Sequence, residues 1–97
     1  MQERRTSRRL PRNERTSVNT QALKNHSVEL IDISTGGMRL HSTQELTVGS
    51  TVTSTLNLSP QIGAFHIQGT IIWNKPAADG RGYEVGVTFT KVSAKPF

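Results

Sequence analysis

Apolar and polar residues alternate with a period of two along most of this chain, and the alternation restarts after short polar breaks. This is the pattern of half-buried β-strands rather than helices. The clearest stretch is residues 65–73, where Phe65, Ile67, Gly69, Ile71 and Trp73 share one face and His66, Gln68 and Thr70 the other. Gly69 inside that stretch predicts a bulge or a tight bend. Residues 51–58 place Val52, Ser54, Leu56 and Leu58 opposite Thr51, Thr53, Thr55 and Asn57. Residues 83–89 place Tyr83, Val85, Val87 and Phe89 inward. A short strand at 38–41 sets Met38 and Leu40 against Arg39 and His41, and residues 27–33 are apolar on both faces. A weaker alternation runs through Thr16, Val18, Thr20 and Ala22.

Between these stretches lie turn-forming residues: Lys24-Asn25, Ser34-Thr35-Gly36-Gly37, residues 45–50, Ser59-Pro60, and a loop at 74–82 with Pro76 and Asp79-Gly80. Two glycines straight after a strand predict positive φ or close backbone approach. Six strands with a turn every eight to twelve residues, and no helical stretch, predict an antiparallel barrel or sandwich.

Residues 1–15 break the pattern. They lack apolar periodicity, Leu10 is their one large apolar residue after Met1, and Pro11 interrupts any helix. They carry six arginines (Arg4, Arg5, Arg8, Arg9, Arg12 and Arg15) against Glu3 and Glu14, and so hold most of the net charge of +5. The division predicted is an arginine-rich arm at 1–15, a barrel at 16–93 and a tail at 94–97. Guanidinium stacks on rings and grips oxyanions with a planar fork, which ammonium does not.

Composition narrows the chemistry. At 97 residues the chain makes one domain. No stretch approaches the roughly 18 apolar residues of a membrane helix, and no charged-then-apolar start marks a signal peptide. Cysteine is absent, so disulfides and thiolate metal sites are excluded. His26, His41 and His66 lack metal-ligand spacing. Ser7, Ser34 and the histidines form no nucleophile–base set, which argues against an enzyme.

Two motifs point to a ligand. Arg4-Arg5-Thr6-Ser7-Arg8-Arg9 contains R-R-x-x-x-R at Arg4, Arg5 and Arg9. Asp32-Ile33-Ser34-Thr35-Gly36-Gly37 contains D-x-S-x-x-G at Asp32, Ser34 and Gly37. In this order, 22 residues apart and followed by Tyr-Glu-Val-Gly-Val-Thr-Phe at 83–89, the pair resembles the PilZ domain family over about residues 3–93. Trp73 and the Gly86-Val87 step fit the same pattern. The resemblance implies a six-stranded antiparallel β-barrel with a flexible N-terminal arginine-rich arm. It also implies a bacterial cytoplasmic receptor for cyclic di-GMP that needs no cofactor and acts through a protein partner or a fused output domain. The ligand contacts it implies are Arg4, Arg5, Arg9, Asp32, Ser34, Gly36 and Gly37, with Arg8, Arg39 and Trp73 as further candidates.

The chemistry of those residue types agrees. Guanine presents O6 and N7 to a guanidinium fork, and its N1–H and N2–H₂ donors suit a carboxylate such as Asp32. Two other function classes stay open on sequence alone: a nucleic-acid-binding barrel, and a PilZ-like domain that serves protein contacts without a ligand. Against the first, Phe65, Trp73, Tyr83 and Phe89 fall on faces predicted to be inward, leaving few exposed aromatics for base stacking. For Asp32-x-Ser34 a plain turn-capping role also stays open.

Overall fold

A computed structural model describes residues 10–59 and 63–95. Six strands form in chain order: β1 (Leu10–Asn19), β2 (His26–Ile33), β3 (Gly37–Ser42), β4 (Thr51–Ser59), β5 (Gly63–Pro76) and β6 (Tyr83–Ser93). All neighbouring strands are antiparallel, in the closed order β1-β2-β3-β6-β5-β4. Of the barrel or sandwich that the alternation predicts, the barrel is the fold. No helix among the described residues is long and apolar enough to cross a membrane.

The interior follows the period-two pattern. Val18, Val28, Leu30, Met38, Leu40, Val52, Ile71 and Val85 are completely buried, and Leu56, Ile67 and Val87 almost so. Each large aliphatic side chain removed from water in this way stabilises the barrel by about 1.5–3 kcal/mol. One end is plugged by Leu46, which lies on the connection from β3 to β4 and is 3% exposed. That connection is tied to β5 by Gly49 N–H donating to the Ile71 carbonyl (2.7 Å) and by Asn74 Nδ2 donating to the Leu46 carbonyl (2.5 Å).

Three departures from simple alternation shape the outer surface. In β2 the register slips between Leu30 and Asp32, so that Leu30 pairs with Leu40 but Asp32 pairs with Arg39. The extra residue, Ile31, reverses the phase: Ile33 turns inward and Asp32 outward. This explains why residues 27–33 read as apolar on both faces. In β5 a second slip falls between Ile71 and Trp73, with Ile71 opposite Val87 and Trp73 opposite Gly86. Ile72 bulges out and is 51% exposed. Trp73 therefore leaves the inward face that alternation gives it, and lies half-buried on the outside. A third slip falls beside Gly69, where Gln68 pairs with Lys91 but Gly69 with Phe89, so that the extra residue is Thr90 of β6. A Cβ on Gly69 would come within 2.6 Å of the Thr88 carbonyl oxygen.

β1 also differs from its sequence pattern. It begins at Leu10 rather than near Thr16 and ends at Asn19, before Ala22. Residues 10–15, assigned to the arm by their lack of periodicity, form strand paired with β2. Backbone pairing to β2 holds this stretch, which needs no apolar alternation to form. β1 pairs with β2 at seven positions but meets β4 at only two, Val18–Ser54 and Asn19–Thr53. The buried Ser54 hydroxyl reinforces this seam by donating to the Ser17 carbonyl at 2.6 Å.

Candidate ligand-binding site

The bulge at Ile31 brings Asp32 to the outer surface between Pro11 of β1 and Arg39 of β3. Asp32 is nevertheless only 6% exposed, so its carboxylate needs strong hydrogen-bond donors. Arg39 supplies two, from Nε (2.8 Å) and from a terminal nitrogen (2.5 Å), both onto Oδ2. These hydrogen bonds raise the Arg39 guanidinium above its ordinary pKa; burial opposes the shift, and the charges of Asp32 and Glu84 reinforce it. Arg39 is thus permanently charged.

The charges continue across the sheet. Another Arg39 nitrogen lies 3.7 Å from Glu84 Oε1 on β6, and Lys75 Nζ on β5 lies 3.6 Å from the same oxygen. Lys75 also stands 5.5 Å above the Trp73 ring. Asp32, Arg39, Glu84 and Lys75 form an alternating line over four adjacent strands, β2, β3, β6 and β5. Half-exposed pairs of this kind are worth about 0–1 kcal/mol each, so the line orients groups more than it stabilises the fold.

Ser34 and the glycines belong to the turn that follows. Ser34 N–H donates to the Gly37 carbonyl at 2.8 Å. The Ser34 hydroxyl accepts from Gly36 N–H (3.3 Å) and donates to the Gly37 carbonyl (3.4 Å). The Gly36 carbonyl accepts from Phe89 N–H (2.9 Å) and the Thr88 hydroxyl (3.4 Å), which anchors the turn to β6. Neither Gly36 nor Gly37 has positive φ. Close approach is the reason at Gly37, where a Cβ would run into the Val87 carbonyl oxygen. At Gly36 a Cβ would meet nothing within 4 Å. The backbone approached by Gly37 is thus that of β6, and the open position is Gly36.

Arg4, Arg5, Arg8 and Arg9 lie outside the described residues. Their attachment point does not: Leu10 pairs with Ile33 and Pro11 with Asp32. Arg9 immediately precedes Leu10 in the sequence. Arg39, one of the further candidate ligand contacts, donates to Asp32 from two of its nitrogens.

Trp73 lies over Gly86, where a Cβ would overlap the indole ring. Gly86→Ala is expected to dislodge the indole and to cost about 1–3 kcal/mol, the usual range for overpacking. Trp73 is the one tryptophan, so a shift of its emission together with a lower melting temperature would check this. Glu84 and Lys75 were not singled out by sequence pattern, because their meeting depends on the register slip in β5. No group of three or more His, Cys, Asp or Glu able to hold a metal ion exists among the described residues. A polar cavity of about 440 Å³, lined by Ser17, Asn19, Asn25, Thr53–Thr55, His66 and Ile67, opens at the β1–β4 seam and includes none of the motif residues.

No curated protein matches this chain in a sequence search. The family model of the PilZ domain, however, matches residues 3–96. A closed six-stranded antiparallel barrel accords with that match, and the chain belongs to the PilZ domain family, a family of cyclic di-GMP-binding domains.

Proposed function

We propose that this protein is a receptor for cyclic di-GMP that works by binding alone. The observation that supports the reading is the β1–β2 register, in which Leu10 and Pro11, the two residues after Arg9 in the sequence, pair with Ile33 and Asp32. Asp32 accepts from guanine N1–H and N2–H₂, the edge that separates guanine from adenine. Arg4, Arg5 and Arg9 supply what a bis-guanine diphosphate requires: a fork for O6 and N7, a plane to stack on a base, and charge-assisted donors for phosphate. Ser34 and Gly36 line the turn beside the base, and Arg8 adds charge. Gly37 serves by holding that turn against β6.

Ligand arrival draws the arm across the barrel corner, and the altered surface is what a partner or fused output domain detects. Ordering the arm costs entropy, which the phosphate and guanine contacts offset. A bacterial cytoplasmic setting, with motility or biofilm control downstream, follows from the family and from nothing in the geometry.

Isothermal titration calorimetry tests the reading. Cyclic di-GMP is expected to saturate the protein in the low micromolar range or tighter, while linear GMP and cyclic di-AMP fail. Absence of any cyclic di-GMP response from folded protein sinks the reading. Binding of single-stranded DNA with a steep salt slope would favour a nucleic-acid role instead.

A further inference from the structure

We propose that the open cavity at the β1–β4 seam is a second binding site, and that its ligand is an uncharged saccharide. The proposal stands apart from the cyclic di-GMP reading. The cavity, of about 440 Å³, has the size of a small-ligand site. It lies on the outer face of β1, β4 and β5, and β4 stands across the ring from β3, which carries Arg39.

Register builds its wall. Val18 pairs with Ser54 and Asn19 with Thr53, while Thr55 pairs with His66. Val18, Ser54 and Ile67 are buried, so alternation turns Ser17, Asn19, Thr53, Thr55 and His66 outward together. Neighbouring strands stand about 5 Å apart, and next-but-one residues about 7 Å apart along each strand. The result is a grid of polar groups on the scale of a sugar ring. Thr55 Oγ1 and His66 Nδ1 share a 3.1 Å hydrogen bond, and Asn19 Oδ1 accepts from Asn25 N–H at 2.8 Å. Among the described residues, no protein group engages the Ser17 and Thr53 hydroxyls, Asn19 Nδ2, the Asn25 side-chain amide or His66 Nε2.

The lining selects its ligand by what it contains and what it lacks. Hydroxyls, amides and an imidazole both donate and accept, as sugar hydroxyls do. No Asp, Glu, Lys or Arg lines the cavity, so an ion would lose water without gaining a counter-charge. No Phe, Tyr or Trp lines it, so a nucleobase finds no ring to stack on. Ile67 is the single apolar lining residue and is 2% exposed, which leaves an apolar ligand nothing to bury against. An extended peptide is held chiefly by backbone partners, whereas this lining offers side chains. Affinity is expected in the millimolar range, because each neutral hydrogen bond exchanged with water nets little.

The experiment is heteronuclear amide NMR of the full chain titrated with glucose, galactose, maltose and cellobiose, with glucuronate and trialanine as counter-probes. Saturable shifts of the Ser17, Thr53, Thr55 and His66 amides with at least one neutral sugar, weakened about twofold to tenfold by Thr53→Val, support the site. Thr53→Val keeps the shape of the side chain; Ser17→Ala, at an exposed position, replaces it if that variant does not fold. Neutral sugars that leave these amides unmoved overturn the proposal, as do shifts that the folded variant leaves undiminished. A stronger response to glucuronate or trialanine overturns the saccharide assignment and gives the cavity to an anion or a peptide. None of these outcomes bears on cyclic di-GMP.

Discussion

Asp32→Ala is expected to weaken cyclic di-GMP binding by roughly a hundredfold to ten-thousandfold. The variant removes two hydrogen bonds from guanine donors to a charged acceptor, each worth about 1.5–3 kcal/mol, and every 1.4 kcal/mol is about tenfold in affinity. It also removes the acceptor of both Arg39 donors. Arg39 is more than one-third exposed and keeps Glu84 nearby, so water and Glu84 absorb most of that loss. The stability cost should be about 1 kcal/mol, or about 4–8 °C in melting temperature for a domain of this size. Calorimetric titration alongside differential scanning calorimetry separates the two effects. Undiminished binding by the folded variant would show that guanine is read elsewhere.

Gly37→Ala should have the largest effect on stability. Gly37 opens the six-position ladder between β3 and β6, and an added Cβ would run into the Val87 carbonyl oxygen. Backbone cannot rotate aside as a side chain does, so the strands must part locally. The expected cost is about 3 kcal/mol or more, a large share of the roughly 5–15 kcal/mol that holds a small domain together, and the melting temperature should drop by about 12–24 °C. Gly36→Ala is the matched control, because its Cβ meets nothing within 4 Å. Its melting temperature should move by no more than about 2–4 °C, in keeping with an ordinary surface change of about 0.5 kcal/mol. Equal melting temperatures for the two variants would refute the packing role assigned to Gly37.

The two glycines show where local pattern stops informing. Adjacent and alike in sequence, they are separated only by the position of β6, which lies almost fifty residues further along the chain. The strands themselves were legible, because Val52, Leu56, Ile67, Ile71, Val85 and Val87 each lie on the face that alternation assigns them. The register slips were not. A bulge adds one residue without changing composition, so Trp73 reads as an inward residue until Ile72 is seen to bulge out. The same holds at Ile31, where the inserted residue carries Asp32 out of the core. For Asp32 the motif compensated, since its spacing to Ser34 and Gly37 singles it out whichever way the strand faces. Arg39, Glu84 and Lys75 belong to three different strands and have no such motif. Their alignment is a matter of cross-strand register, which a single strand's pattern does not encode.

Among the described residues, two paired positions and the Ser54–Ser17 hydrogen bond join β1 to β4. Strand rims elsewhere in nature recruit strands from neighbouring molecules and seed aggregates. Here Pro11 contributes no N–H to such a rim, and Glu14 and Arg15 set opposite charges along it. At high protein concentration, those three residues make the lightly sealed side a poor template for sticking to another copy.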